Sequence, residues 1–158
     1  MSSMADIKVR VGDPLPDFDL EAYPSGGTAK LSSYRGRWLV LYFYPRDDTS
    51  GCTKEACSFR DSTSSIRALG AEVVGVSTDS ISSHRKFAGK FNLGFTLLSD
   101  PKGELGSRLG VLKENGTSMY RVTFLVDSEG RIAKIYPKVD PSIHADEVMA
   151  DLKALRER

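Results

Sequence analysis

The segment Arg37-Trp-Leu-Val-Leu-Tyr-Phe-Tyr44, closed by Pro45, is continuous, apolar and rich in β-forming residues, the pattern of a strand buried on both faces. After the loop Arg46-Asp-Asp-Thr-Ser-Gly51 the period changes. Cys52, Ala56, Phe59, Thr63 and Ile66 recur at spacings of four and three, one stripe of a helix, and Thr49 or Ser50 stands where a cap belongs. Gly70 ends the helix, and Ala71-Glu-Val-Val-Gly-Val-Ser77 reads as a second buried strand. Strand, helix and strand in that order predict a parallel, right-handed crossover, with the 37–44 strand as the best candidate for the sheet centre.

Outward from this unit, Gly12-Asp-Pro-Leu-Pro-Asp17 is rich in turn formers, Phe18 and Leu20 alternate with acidic residues as in a short edge strand, and another turn follows at Pro24 to Gly27. Downstream, Ser80 to Phe91 reads as a helix and Phe95-Thr-Leu-Leu98 as a strand. The turn Asp100-Pro-Lys-Gly103 then leads into a short helix through Leu109, and Asn115-Gly116 marks a loop. Arg121-Val-Thr-Phe-Leu-Val126 and Arg131-Ile-Ala-Lys-Ile-Tyr136 flank a turn, as in an antiparallel hairpin. A last helix starts near Ser142, with Ala145, Val148, Leu152 and Leu155 as its apolar stripe. The fold class is therefore α/β, a mixed central sheet with helices on both faces.

The 158 residues fit one domain, 1–158, without repeats or a separating linker. Lys plus Arg total 22 against 21 for Asp plus Glu, so no global field favours nucleic acid or anionic lipid, and no apolar run is long enough for a membrane span. The first residues lack a basic segment followed by an apolar run, so a cytoplasmic protein is expected, with Met4 readable as an internal start.

The cysteines are two, Cys52 and Cys57, too few for a disulfide scaffold. Cys52 falls in the first turn of its helix, where unpaired N–H groups and the helix dipole stabilise an anion such as a thiolate. A small buried hydrophobe is the alternative. Five positions on, Cys57 is offset by about 140° and by ~7.5 Å along the axis, beyond disulfide reach unless the helix locally unwinds.

The stretch Phe43-Tyr-Pro-Arg-Asp-Asp-Thr-Ser-Gly-Cys-Thr-Lys-Glu-Ala-Cys-Ser-Phe-Arg-Asp61 closely resembles the active-site segment of the peroxiredoxins, in particular the bacterioferritin comigratory protein, or Q-type, subgroup. The family pattern of Pro, three residues, Thr, two residues, Cys is met by Pro45, Thr49 and Cys52. Further matching blocks are Gly12-Asp-Pro-Leu-Pro-Asp-Phe18, Val74-Gly-Val-Ser-Thr-Asp79, Leu97-Leu-Ser-Asp100 and Arg121-Val-Thr-Phe-Leu-Val-Asp127.

The resemblance implies a thioredoxin-like fold and a thiol peroxidase that needs no cofactor or metal and acts on hydrogen peroxide and organic hydroperoxides. It implies Cys52 as the peroxidatic cysteine and Cys57 as the resolving cysteine of an intramolecular disulfide, recycled by thioredoxin or a related dithiol, in a protein that is commonly monomeric. Thr49 carries over as the hydroxyl, and Arg121 as the guanidinium, that bind thiolate and peroxide. Pro45 carries over as the residue that shapes the loop and shields the sulfur. Where the subgroup usually has Pro after the Thr, this chain has Ser50, which restricts the backbone less and offers a cap instead.

A thioredoxin-type dithiol exchange protein is the rival reading, but it calls for a Cys-x-x-Cys pair already within bonding reach. His84 and His144 lack ligand spacing and read as surface or capping histidines. Asn115-Gly-Thr117 reads as a chance glycosylation match, and no Walker or dinucleotide glycine pattern occurs. Among Lys54, Glu55, Arg60 and Asp61, charges that a helix ordinarily turns to solvent, Glu55 is the first candidate to influence Cys52, because it shares the same helical turn.

Overall fold

A computed structural model describes residues 5–157, so the reading of Met4 lies outside the described residues. In chain order the elements are β1 (Asp19–Tyr23), β2 (Thr28–Lys30), a single 3-10 turn at Leu31–Tyr34, β3 (Trp38–Phe43), α1 (Ser50–Ala68), β4 (Ala71–Ser77), α2 (Ile81–Phe91), β5 (Thr96–Ser99), α3 (Glu104–Leu109), β6 (Val122–Val126), β7 (Ile132–Tyr136) and α4 (His144–Arg156). The strands form one sheet in the order β2-β1-β5-β4-β3-β6-β7. Pairings β3–β4 and β4–β5 are parallel, and those of β1 with β2 and β5, of β3 with β6 and of β6 with β7 are antiparallel. The mixed sheet and the parallel crossover agree with expectation.

The period of two along β3 builds both sides of the core. Leu39, Leu41 and Phe43 enter one apolar cluster with Val74, Val76, Leu98, Leu105 and Phe124, while Val40, Tyr42 and Tyr44 enter the other with Phe59, Ile66, Phe87, Val148 and Leu152. The first face is covered by α3 and the segment around Leu15 and Phe18, the second by α1, α2 and α4. Two helix ends have a local cause. Ser80 accepts from the Ser83 amide through its hydroxyl at the start of α2, and Gly70, at φ +80, receives the chain after α1.

Several expectations are corrected. β1 is internal, lying between β5 and β2, and the edge strand on that side is β2, whose three residues are too few for a period to register. The middle of the seven strands is β4, with β3 beside it. His84 and His144 are not surface or capping residues. Both are fully buried and hydrogen-bonded at both ring nitrogens, because each meets polar partners from distant segments.

The pairing of β3 and β4 leaves room for a ring only because position 75 lacks a side chain. Tyr42 pairs with Gly75 across the two strands. A Cβ at Gly75 would fall 2.8 Å from Tyr42 Cζ and 3.0 Å from Leu97 Cδ2. Gly75→Ala is therefore expected to destabilise the fold by about 2 kcal/mol through overpacking, read as a lower urea midpoint at unchanged m-value; an unchanged midpoint would show that the ring can move aside.

Candidate active site

The site forms at the C-terminal end of β3. The chain leaves the strand at Phe43, loops through 44–49 and enters α1, so Cys52 sits in the helix's first turn. Because β6 runs antiparallel to β3 with Val122 opposite Phe43, Arg121 immediately before β6 arrives at the same end. Its Nη2 donates to Cys52 Sγ at 3.3 Å, and its Nη1 donates to Glu55 Oε1 at 2.8 Å. Gly51 makes this approach possible: a Cβ there would lie 3.0 Å from Arg121 Nη2.

Cys52 is 1% exposed, packed among Tyr42, Tyr44, Ala56 and Phe59. A helix N-terminus and a guanidinium therefore both face a sulfur shielded from bulk water. Glu55 is wholly buried, and its Oε2 has no partner. Burial pushes its carboxyl up to about 7, outweighing the opposite pull of Arg121 through charge and hydrogen bonding. For Arg121 the balance goes the other way: burial works against its charge, but Glu55 and Cys52 together overcome that and hold its pKa above the ordinary value.

The other residues expected at the site divide. Cys57 lies on the same unbroken helix, half-buried, and both thiols are free. Pro45 is half-buried at the strand exit. Thr49 occupies the N-cap position, yet its hydroxyl donates to the Arg46 carbonyl at 3.2 Å and makes no hydrogen bond to Cys52. Ser50 is the first helical residue rather than the cap, so neither hydroxyl caps α1 through its side chain. Of the four charged candidates on α1, Glu55 alone reaches the sulfur's neighbourhood; Lys54 is exposed, and Arg60 binds Asp61 and the Phe91 carbonyl.

The loop is held by residues that sequence reasoning left unassigned. Asp47 is buried and accepts from Tyr44 Oη at 2.6 Å and Ser83 Oγ at 2.8 Å, and it meets His84 Nδ1 at 2.7 Å. His84 Nε2 meets the Leu98 carbonyl at 2.8 Å. Both ring nitrogens thus have an oxygen partner within hydrogen-bond distance. The Asp47 amide in turn donates to Asp79 Oδ2. On the other flank His144 accepts at Nε2 from Thr123 Oγ1, at 2.7 Å, and donates from Nδ1 to Glu147. Burial, with Arg121 adding in the same direction, lowers its pKa against the opposing pull of Glu147 and keeps it neutral. Asp47 stands among turn formers in a polar loop, and no local pattern announces partners 32 to 37 positions away.

Comparison with known proteins agrees with this geometry. Residues 11–135 match the AhpC/TSA family. The chain is 44% identical over 156 residues to "Peroxiredoxin Bcp" of Bacillus subtilis, covering 95% of this chain and 99% of that protein. It is 43% identical over 150 residues to "Peroxiredoxin Q, chloroplastic" of Populus jackii, covering 94% of this chain and 70% of that one. Among solved structures, a PrxQ mutant of Xylella fastidiosa superposes with a TM-score of 0.87 at 33% identity over 94% of this chain and 98% of that one. Peroxidoxin BcpB of Mycobacterium tuberculosis does so with 0.86 at 35% identity over 94% and 99%. The fold is thus thioredoxin-like, and a thiol at a helix start under an arginine, on a chain so closely related to Bcp and Q-type proteins, makes this a member of the peroxiredoxins and a thiol-dependent peroxidase.

Proposed function

We propose that Cys52 is the peroxidatic nucleophile and Cys57 its resolving partner, in a cycle that reduces hydrogen peroxide and organic hydroperoxides and is recharged by thioredoxin or a related dithiol. The observation that carries this reading is the 3.3 Å contact from Arg121 Nη2 to Cys52 Sγ at the start of α1. The Cys52 thiolate attacks the terminal peroxide oxygen, an S–O bond forms as the O–O bond breaks, and the departing oxygen leaves as an alcohol or as water once protonated. Arg121 meets charge on sulfur before the attack and on the leaving oxygen during it. Thr49 acts as second donor to the peroxide after exchanging its bond to Arg46, and Pro45 keeps the loop over the sulfur.

The Cys57 thiol next attacks the sulfenic sulfur, water departs, and a Cys52–Cys57 disulfide forms. Both thiols belong to one helix and are ~7.5 Å apart along it, so this step requires the first turns of α1 to open. Chemistry assists the opening. A sulfenic acid is uncharged, so oxidation replaces the ion pair between thiolate and Arg121 with a weaker contact between the cation and a neutral acceptor. A disulfide within one chain needs no second subunit, which supports a monomer of one domain, residues 1–158. The cycle suits a cytoplasmic setting, where dithiol reductants keep thiols reduced; no described helix is long and apolar enough to cross a membrane.

With thioredoxin, its reductase and NADPH present, wild-type protein should consume NADPH on addition of hydrogen peroxide and Cys52→Ser should not; turnover by that variant would remove Cys52 from the role. Arg121→Ala should lower the thiolate absorbance at neutral pH and slow the peroxide step by about 100-fold, and a variant unchanged in both would contradict the role of the guanidinium. Ser50→Pro tests the unwinding. The first helical position needs no amide donor, and Thr49 is already extended at ψ 159, so this change should raise stability by about 0.5–1 kcal/mol while slowing disulfide formation after a rapid sulfenate burst. Equal or faster disulfide formation would mean that opening of this turn does not limit the step.

A further inference from the structure

Peroxide reduction by a thiolate leaves one requirement open: the departing oxygen is a strong base, and a buried sulfur pocket must supply its proton. Around Cys52 the charged groups are few. Arg121 comes from the strand side and Glu55 from α1. Tyr42 projects from β3, and burial raises its phenol well above the ordinary value. From α4 comes His144, held neutral. One guanidinium therefore stands between two groups that can each carry a negative charge, in a site that excludes water. Two anions and one cation would leave a net buried charge there, which costs several kcal/mol. With the thiolate formed, the neutral arrangement is thiolate, guanidinium and protonated carboxyl.

Resting on the assignment of Cys52 as nucleophile, we propose that Glu55 holds the proton given up by the Cys52 thiol and delivers it, across the bound peroxide or one water, to the leaving oxygen. Two features of the geometry support this beyond the ion pair. Glu55 Oε1 is occupied by Arg121 Nη1, whereas Oε2 is buried and partnerless, one of only two such side-chain atoms among the described residues, the other being Tyr42 Oη. A carboxylate oxygen kept from water and from every donor is poorly suited to hold charge and well suited to hold a proton. The carboxyl is moreover pushed up to about 7 by burial, near the value at which a group both keeps and releases a proton at neutral pH.

The step balances. Before it, Cys52 is a thiolate, Arg121 a cation and Glu55 protonated. As the S–O bond forms and the O–O bond breaks, the electron pair of the latter goes to the leaving oxygen, which takes the Glu55 proton and departs as alcohol or water. Afterwards Cys52 is a neutral sulfenic acid, and the Glu55 carboxylate pairs with Arg121. The net charge of the site is the same before and after.

Glu55→Gln separates this from simple placement of Arg121, because the amide oxygen still accepts from Nη1 but the side chain neither stores nor donates an acidic proton. The rate of Cys52 oxidation is measured for both proteins with hydrogen peroxide and with peracetic acid, whose acetate leaving group needs no proton. The variant is expected to lose about 100-fold with hydrogen peroxide and at least about tenfold less than that with peracetic acid, while its thiolate absorbance at fixed pH rises because Arg121 no longer divides its charge. Equal losses with the two oxidants, or a faster reaction with hydrogen peroxide, would overturn the proposal. Wild-type protein that oxidises with neither would instead overturn the assignment of Cys52. Should the variant fail to fold, the solvent deuterium isotope effect on the wild-type reaction decides: a larger effect with hydrogen peroxide than with peracetic acid is expected, and equal effects would refute it.

Discussion

One guanidinium organises this molecule's chemistry. Arg121 touches Cys52 and Glu55 at once, and it can do so only because β6 lies antiparallel beside β3 with Val122 opposite Phe43. A register slip of one residue would turn every β6 side chain to the opposite face and carry the arginine away from the sulfur. Packing of Phe124 against Phe43 on one face, with centroids 5.8 Å apart, and of Leu125 among the helices on the other holds that register. The buried core and the reactive site are thus one construction, since the contacts that fix the sheet also aim the cation.

The site is built to hold charge at one stage and release it at the next. A helix start and a guanidinium supply the positive charge that a buried anion at sulfur requires, because burial alone disfavours it. The same burial makes a second negative charge on Glu55 costly, which is why its carboxyl retains a proton further up the pH scale than an exposed one. Oxidation at sulfur discharges the arrangement. What had anchored the first turn of α1 then weakens, while the loop before it stays fixed by the Asp47 carboxyl among Tyr44, Ser83 and His84. A rigid loop ahead of a helix whose first turns must open is the mechanical counterpart of the nucleophile and resolver proposed for Cys52 and Cys57.

The sequence displayed the parts of this design that rest on local pattern. The apolar run from Trp38, the stripe from Cys52 to Ile66 and the return at Ala71 each carry their period within a few residues, so the crossover and both thiols' positions were readable. Arg121 stands out only through likeness to other chains, since an arginine before a strand has no periodic signature of its own. What stayed hidden depends on contacts between distant positions. β2 is too short for a period, His84 and His144 are buried by partners elsewhere in the chain, and Asp47 reads as an ordinary turn residue until α2 packs against it. Thr49 and Ser50 both carry cap-forming side chains, but the Arg46 carbonyl takes the Thr49 hydroxyl and Ser50 enters the helix.

The account turns on a covalent bond between two residues of one helix. Intact mass and peptide mapping after one equivalent of hydrogen peroxide test it directly. The expected product is a monomer lighter by two hydrogen atoms, with Cys52 and Cys57 recovered in one crosslinked peptide. A product carrying an added oxygen with Cys57 still alkylatable, or a dimer joined through Cys52, would contradict it.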